Sequence, residues 1–205
     1  MLKHHEALEG FFPATAMPDV DWWQTLWPAP SKVLADLGIE TNMEVVDLCC
    51  GDGLFTAPLA RMARHVVAID LDPAMLDAAR ARVAAAGAAN CEFIEGDAYA
   101  VADLVRGPVD FVLIANTFHS VPDKTRLARA VATILKPGGR FAVVNWHRRP
   151  RDETTVLGQP RGPKTEMRMT PADVAAVVEA AGLRSANVVE LPPYHYGAIF
   201  QKQAE

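Results

Sequence analysis

From residue 30 onward, short runs of apolar residues alternate with segments in which apolar residues recur at helical spacing. The runs are continuous and rich in Val and Ile, which is typical of parallel strands covered on both faces. They predict strands at residues 44–48, 65–69, 91–95, 109–115 and 140–146. Repeated strand–helix alternation predicts an α/β fold with a doubly wound, mostly parallel sheet.

Capping residues delimit the predicted helices. An Asp or Thr before Pro is a good helix start, and Gly or Pro-Gly commonly ends a helix. Three helices are predicted to start at Asp72-Pro73, near Asp123 and at Thr170-Pro171, and to end at Gly87, at residues 136–139 and at Gly182.

The two ends of the chain depart from this alternation. Residues 186–191 and 198–202 predict two strands with no helix between them, so we expect an antiparallel C-terminal hairpin and seven strands in all. Residues 1–30 are rich in proline and aromatic residues, and residues 147–169 predict a polar loop or mobile insertion. The 205 residues suit a single domain, 1–205.

Composition narrows the functional class. A net charge of −5 argues against a surface for duplex nucleic acid. No apolar run approaches the roughly 20 residues that span a bilayer, and the first ten residues lack the apolar region of a signal peptide. We therefore expect a cytoplasmic protein with three reduced cysteines and no metal site, because no Cys/His pair has ligand spacing. The oligomeric state stays open.

The segment VVDLCCGDGLFT, residues 45–56, carries the first chemical signal. A buried strand ends at Asp47, the chain turns through Gly51 and Gly53, and a helix is expected to open at Leu54. Glycines let a backbone approach a bound molecule closely, and a helix start offers free N–H groups. Asp47 is placed to meet a cation or an amine of a ligand.

Polar residues follow the other predicted strands. Asp70 stands 23 residues after Asp47, where a carboxylate can accept the hydroxyls of a ribose. Asp97 follows the third strand, Asn116 and His119 follow the fourth, and His147 follows the fifth. Ligands of open α/β sheets bind beyond the carboxyl ends of the strands, so these residues predict one site.

In these motifs the chain resembles the class I S-adenosylmethionine-dependent methyltransferases of the generic small-molecule type, and it is similar to the quinone-biosynthesis methyltransferases. The resemblance covers residues 30–202 and rests on the glycine turn, on N-x-x-H-x-V-P-D at 116–123 and on L-K-P-G-G at 135–139. It implies a Rossmann-like methyltransferase fold. It also implies S-adenosylmethionine as cofactor, S-adenosylhomocysteine as product and a small-molecule acceptor.

The resemblance also implies roles for single residues. In the family, the glycine turn holds the methionine part of the cofactor, the acidic end of the second strand holds the ribose, and an acidic residue after the third strand faces the adenine. The corresponding residues are, in chain order, Asp47, Cys49, Gly51, Gly53, Asp70, Leu71, Asp97, Ala98 and Asn116.

Cys49 departs from the family pattern D-x-G-x-G-x-G, in which its position is a glycine. A side chain there must either avoid a positive φ or accept strain. Packing behind the cofactor is the expected role, with a reactive thiol at Cys49 or Cys50 as the alternative.

Candidate catalytic groups lie at the same edge of the sheet. His119 is the leading base, with a packing or positioning role as the alternative. His147, Tyr194 and His195 are further candidates. Trp22, Trp23 and Trp27 predict either a lid or a packing segment. A run of basic residues predicts either binding of an anionic substrate or a solvated loop: Arg148, Arg149, Arg151, Arg161 and Lys164.

Three functions are compatible with these residues. Methyl transfer from S-adenosylmethionine explains all the motifs. A protein that binds the cofactor without catalysis is the second. A nucleotide-dependent oxidoreductase is disfavoured, because C-C-G-D-G lacks the G-x-G-x-x-G spacing of a pyrophosphate turn.

Overall fold

The computed structural model describes residues 18–203, in which seven strands form one mixed sheet. Its strands are β1 (Glu44–Leu48), β2 (His65–Asp70), β3 (Cys91–Glu95), β4 (Val109–Ala115), β5 (Leu135–Trp146), β8 (Arg184–Leu191) and β9 (His195–Gln201), and two further strands, β6 (Thr155–Val156) and β7 (Gln159–Pro160), form a separate hairpin. The order across the sheet is β3-β2-β1-β4-β5-β9-β8. β9 is antiparallel to β5 and β8, and the other neighbours are parallel, which confirms the predicted fold class.

Helices cover both faces of the sheet. They are α1 (Val20–Leu26), α2 (Pro30–Asp36), α3 (Thr56–Met62), α4 (Pro73–Ala85), α5 (Val101–Leu104), α6 (Lys124–Ile134) and α7 (Pro171–Glu179). Helices α1 to α4 pack on one face and α5 to α7 on the other. Consecutive residues of β1 point to opposite faces of the sheet. Val45 packs in the core on one face and Val46 in the core on the other, which explains why both are apolar. Within residues 18–203, no helix is long and apolar enough to cross a membrane.

The strand order reverses between β1 and β4. From β1 the chain continues outward to β2 and β3 on one side, whereas β4 and β5 extend the sheet on the other side. The turns after β1 and β4 therefore leave the sheet in opposite directions and open a crevice at their carboxyl ends.

Several predicted boundaries were wrong by a few residues. The helix after the glycine turn begins at Thr56 rather than Leu54, because the Leu54 N–H is held by the Asp52 carboxylate at 3.2 Å. β5 begins at Leu135 rather than 140, since Leu135 already pairs with Val109 before the register shifts. β8 and β9 begin at 184 and 195, earlier than the predicted 186 and 198.

Residues 147–169 are more structured than a polar loop. They contain the β6–β7 hairpin, and the buried guanidinium of Arg168 holds the segment together. Arg168 donates to the carbonyls of Pro163, Arg149 and Arg161 and to the Thr154 hydroxyl, at 2.9–3.1 Å. The predicted N-terminal segment, 1–30, is described from residue 18. Residues 1–17, with His4 and His5, lie outside the described part.

Candidate active site

The turn after β1 uses three residues with positive φ: Cys49 at 61°, Gly51 at 55° and Gly53 at 82°. A Cβ at Gly53 would lie 2.7 Å from the Ala79 Cα, so glycine is required for the turn to pack against α4. Cys49 accepts the strained conformation instead of avoiding it, at a cost of about 1–3 kcal/mol. The chain therefore keeps the turn geometry without the first glycine of the family pattern.

The thiols of the turn are not poised for chemistry. Burial, reinforced by the nearby carboxylates of Asp70 and Asp47, holds the pKa of Cys49 well above its usual range. Burial likewise raises the pKa of the Cys50 thiol, and it raises that of Cys91 to about 12. Because thiolates are the reactive form, these neutral thiols favour the packing role over the reactive one.

Asp47, the last acidic residue of β1, is buried behind the turn. Its side chain is only 2% exposed, and the Thr56 hydroxyl donates to its Oδ2 at 2.6 Å. Burial raises its pKa to about 7, an effect that the Thr56 hydrogen bond opposes and the Asp70 charge reinforces. Asp47 thus supports the start of α3, and its carboxyl group stays protonated as the pH rises to near neutral.

Asp70, at the end of β2, ties two turns together. Its Oδ2 accepts the Gly51 N–H at 2.8 Å, and its Oδ1 accepts the Asp72 N–H at 3.0 Å. Each carboxylate oxygen can accept a further hydrogen bond, which suits the hydroxyls of a ribose. Leu71 lies between the two acidic residues and is half-buried.

Asp97 and Ala98 follow β3 at the same edge of the sheet. The Asp97 Oδ1 accepts the Tyr99 N–H at 2.8 Å and so caps a short 3₁₀ turn, Ala98–Ala100. Ala98 is buried. The hydrogen bond from Tyr99 fixes the orientation of the Asp97 carboxylate just after the strand.

The turn after β4 carries polar side chains that lack partners. Asn116 has a φ of 60°, and both polar atoms of its amide are buried with no hydrogen bond. His119 is 7% exposed, and neither of its ring nitrogens makes a direct hydrogen bond of good geometry, although the Asn145 side chain acts on the imidazole. Burial lowers the His119 pKa to about 4, against the opposing effect of the Asn145 amide, so the imidazole is neutral at pH 7. An unsatisfied buried group costs about 1–3 kcal/mol, so these atoms point to a ligand.

A cavity of about 320 Å³ opens beside these two turns. Four of the residues predicted for the site line it: Cys49, Gly51, Asn116 and His119. Its other walls include Trp22, Trp23, Trp146, Arg151, Arg161 and Pro163. Among the predicted cofactor residues, the cavity is not lined by Asp47, Gly53, Asp70, Leu71, Asp97 or Ala98, which lie behind the turn or towards β2 and β3.

Three catalytic candidates lie outside the cavity lining. His147 pairs with Glu190 at 2.9 Å, and the Tyr194 hydroxyl donates to the Thr155 carbonyl at 2.9 Å. His195 is buried between the rings of Trp27 and Trp146, and burial holds its pKa well below its usual range. Their catalytic roles stay predictions. The position of His195 differs from the expected one, because β9 starts earlier and pairs His195 with Trp146 in the sheet instead of placing it at the rim.

Trp146 is the wall residue that the sequence did not single out. It ends β5, next to β4 in the sheet, and a Cβ at Gly162 would lie 2.8 Å from its ring. A large aromatic residue at the carboxyl end of a strand beside the crevice was the available signal. Trp22 and Trp23 line the cavity, whereas Trp27 packs against Phe55. A lid role for this segment stays a prediction.

The described residues fit the cofactor that the resemblance implies. The glycine turn offers a backbone without side chains at two positions, the Asn116 amide has both a free donor and a free acceptor, and carboxylates end β2 and β3. S-adenosylmethionine carries an amino acid group, a ribose and an adenine, which need these kinds of partner.

Comparison with known proteins also points to a methyltransferase. Residues 45–139 match the family model described as a methyltransferase domain. The chain is 30% identical over 190 residues to the ubiquinone biosynthesis O-methyltransferase of Xanthomonas euvesicatoria, covering 82% of this chain and 77% of that protein. It is 31% identical over 122 residues to the demethylmenaquinone methyltransferase of Lactococcus lactis, a match that covers 58% of this chain and only 47% of the relative.

A solved structure agrees. A SAM-dependent methyltransferase from Aquifex aeolicus superimposes with a TM-score of 0.73 at 26% identity, over 87% of this chain and 92% of that one. The fold, the site and these likenesses together show that the chain belongs to the class I S-adenosylmethionine-dependent methyltransferases of the small-molecule type, and that it is an enzyme with S-adenosylmethionine as methyl donor.

Proposed function

We propose that this methyltransferase acts on a small, ring-containing acceptor held between Trp22, Trp23 and Trp146. The observation that carries the proposal is the cavity itself, whose lining includes both the glycine turn and three indole rings. Flat aromatic walls favour flat apolar ligands. The names of the relatives, which refer to ubiquinone and menaquinone chemistry, also support a ring-containing acceptor.

We assign the cofactor to the glycine turn and the ends of β2 and β3. The methionine part is proposed to lie against Cys49, Gly51 and Asn116, which line the cavity. Gly53 and Asp47 act on this part through the turn and through Thr56. Asp70 and Leu71 are proposed to hold the ribose, and Asp97 and Ala98 the adenine.

S-adenosylmethionine supplies a methyl group already activated on a sulfonium sulfur. The remaining task of the protein is to align the acceptor atom with that methyl group and to exclude water, and positioning of this kind can lower a barrier by about 7–11 kcal/mol. Tryptophan rings on two sides of the cavity serve both purposes.

His119 is proposed to position the acceptor through a hydrogen bond. With a pKa of about 4 the imidazole is neutral, so it can accept a hydrogen bond at pH 7 but is a weak base. The positive charge of the bound cofactor disfavours the imidazolium further. The positioning alternative for this residue is therefore better supported than the base.

The test uses methyl-labelled S-adenosylmethionine with a panel of phenols, aromatic thiols and aromatic amines. We expect label in at least one product and an equal amount of S-adenosylhomocysteine. His119→Ala should lower kcat on that acceptor by about 100-fold, the size of effect expected when a bound acceptor is misplaced by about 1 Å. His119→Gln, which keeps a hydrogen-bonding group, should restore most of the rate.

Two results would contradict the proposal. Tight binding of S-adenosylhomocysteine without methylation of any panel member would favour the binding protein without catalysis. The second result has two parts: His119→Gln is as slow as His119→Ala, and the kcat of wild type depends on pH as the titration of one group. Together they would show that His119 acts as a base.

The same proposal covers the organisation of the chain. We take residues 1–205 as one methyltransferase domain, with α1 as an aromatic wall of the acceptor site and residues 147–169 as the segment that closes it. The burial of Trp22, Trp23 and Arg168 supports this arrangement. A cytoplasmic location stays a prediction, supported by free thiols at Cys49, Cys50 and Cys91. The net charge of −5 supports a small-molecule acceptor over nucleic acid.

A further inference from the structure

The segment between β5 and α7 places two guanidinium groups in the wall of the cavity. Both Arg151 and Arg161 line it. The Arg161 guanidinium lies over the Trp22 ring, 5.1 Å from its centroid, and its Nε is buried without a hydrogen-bond partner. The Nε–H of Arg151 donates a hydrogen bond to the Gly162 carbonyl at 3.0 Å, which orients the Arg151 side chain.

Neither arginine has an acidic partner among residues 18–203. The acidic side chain that lines the cavity, Asp52, is ion-paired with Arg82. His119 adds no negative charge, and it is neutral at pH 7. Arg151 is exposed and Arg161 half-buried, so two guanidinium groups without an ion pair among residues 18–203 face the cavity, which favours an anionic ligand there.

Two other arginines of the segment have different tasks. Arg148 faces the Asp173 carboxylate at 3.6 Å, and Arg168 donates to backbone carbonyls within the segment. Neither lines the cavity, and neither does Arg149 or Lys164. Of the basic residues in the segment, Arg151 and Arg161 are thus the two that line the cavity wall.

We propose that Arg151 and Arg161 bind a carboxylate or similar oxyanion on the acceptor, so that the substrate class is an aromatic acid. This rests on the proposed function and narrows it. The fork of a guanidinium matches an oxyanion in a bidentate manner, and the Trp22 ring beneath Arg161 leaves its edge free for such a contact.

Placement at the aromatic wall favours the acceptor over the carboxylate of the cofactor. Arg161 contacts Trp22, and the adjacent Gly162 packs on Trp146 so closely that a Cβ would lie 2.8 Å from the ring. The arginines are therefore anchored to the rings that are proposed to hold the acceptor.

The test measures binding to the full chain saturated with S-adenosylhomocysteine, by calorimetry. Two matched pairs of probes are used: 3,4-dihydroxybenzoate with catechol, and 4-hydroxybenzoate with phenol. We expect the carboxylated member of each pair to bind at least about tenfold more tightly, as for a hydrogen bond to a charged group. Arg151→Met and Arg161→Met should each reduce that preference, and the double variant should abolish it.

Arg148→Met is the matched control, because it removes an arginine of the same segment that lies outside the cavity lining, and it should keep the preference. The proposal is overturned if wild type shows no preference, if it binds none of the probes, or if the double variant keeps the preference. It is also overturned if the Met variants bind S-adenosylhomocysteine about tenfold more weakly and still prefer the acids, since the arginines would then serve the cofactor. Methyl transfer is not measured, so a protein that prefers the acids but never methylates would refute only the proposed function.

Discussion

The two ends of the proposed site, the cofactor end and the acceptor end, satisfy their polar groups in opposite ways. At the cofactor end, Asp70 and Asp97 accept backbone N–H groups from the residues just after their own strands, and Asp70 also holds Gly51. Around the cavity, Asn116, which is proposed to face the methionine part, and His119, which is proposed to face the acceptor, are buried without a direct hydrogen bond in the described part of the chain. The carboxylates of the first end are already held by backbone N–H groups and can accept further hydrogen bonds, whereas the buried side chains at the cavity keep their hydrogen-bonding capacity for a ligand.

The difference reflects how each end is assembled. The cofactor end is built from strand–turn–helix units that follow one another closely in the chain. The acceptor end joins α1, the turn after β4, the end of β5 and residues 151–163, which meet only through packing. Substitutions at the acceptor end should therefore exert their effects by disrupting aromatic packing. Substitutions at the cofactor end should exert theirs by removing single hydrogen bonds.

Removal of an indole from the scaffold of the acceptor end should have the largest effect. Trp27 is 3% exposed, with its ring centroid 5.2 Å from that of Phe55 and 4.4 Å from that of His195. Trp27→Ala should lower the free energy of unfolding by about 3–5 kcal/mol, measured by urea denaturation. Trp22→Ala, in the helix that Trp27 directly follows, is the comparison.

Trp22 lines the cavity, so its loss should chiefly raise the KM for the acceptor and leave the affinity for S-adenosylhomocysteine unchanged. A Trp22 variant that is destabilised as much as the Trp27 variant, with an unaltered KM, would show that α1 serves packing alone.

The buried carboxylate behind the glycine turn should make stability fall with rising pH. Between pH 5 and pH 8 the unfolded chain has lost the Asp47 proton, while the folded chain keeps it up to a pKa of about 7. Because the folded state then binds more protons, the free energy of unfolding of wild type should fall by roughly 2–3 kcal/mol more than that of Asp47→Asn.

Denaturation at a series of pH values measures this slope. Thr56→Ser, which keeps the hydroxyl that donates to Asp47, is the control and should retain the wild-type pH dependence. Equal slopes for wild type and Asp47→Asn would mean that the carboxylate is ionised when folded.

Loss of the Asp70 carboxylate should give a smaller and more local effect. Asp70→Ala removes the acceptor of the Gly51 and Asp72 N–H groups, and the affinity for S-adenosylhomocysteine should fall by about 2 kcal/mol. Calorimetry measures this affinity. Asp72→Ala removes only the N-cap of α4, so it should reduce stability by about 1 kcal/mol and leave the affinity unchanged. Unaltered affinity in the Asp70 variant would remove this residue from the ribose assignment.

The sequence alone determined the class of the sheet and, through the family motifs, the cofactor, and it predicted the residues of the cofactor end. Each of these depends on contiguous signals: continuous apolar strands, the turn at 49–53, and acidic residues placed directly after strands. Local signals failed where pairing overrode them, as at Leu135, which joins β5 because it pairs with Val109 across the sheet. The sequence did not determine whether Cys49 takes a positive φ. In the structure its φ is 61°, within a turn that packs against α4 through Gly53.

Only the tertiary structure decided which side chains line the cavity at the proposed acceptor end. The sequence made His119 the leading candidate and His147, Tyr194 and His195 further ones at the same rim, whereas in the structure the early start of β9 places His195 in the aromatic core and His119 lines the cavity. Among the basic residues of 147–169, the folded segment directs Arg151 and Arg161 to the cavity and Arg148 to Asp173. The physical reason is distance along the chain: no local pattern relates Trp22, His119, Trp146 and Arg161, which are brought together by the packing of α1 and residues 151–163 against the end of the sheet.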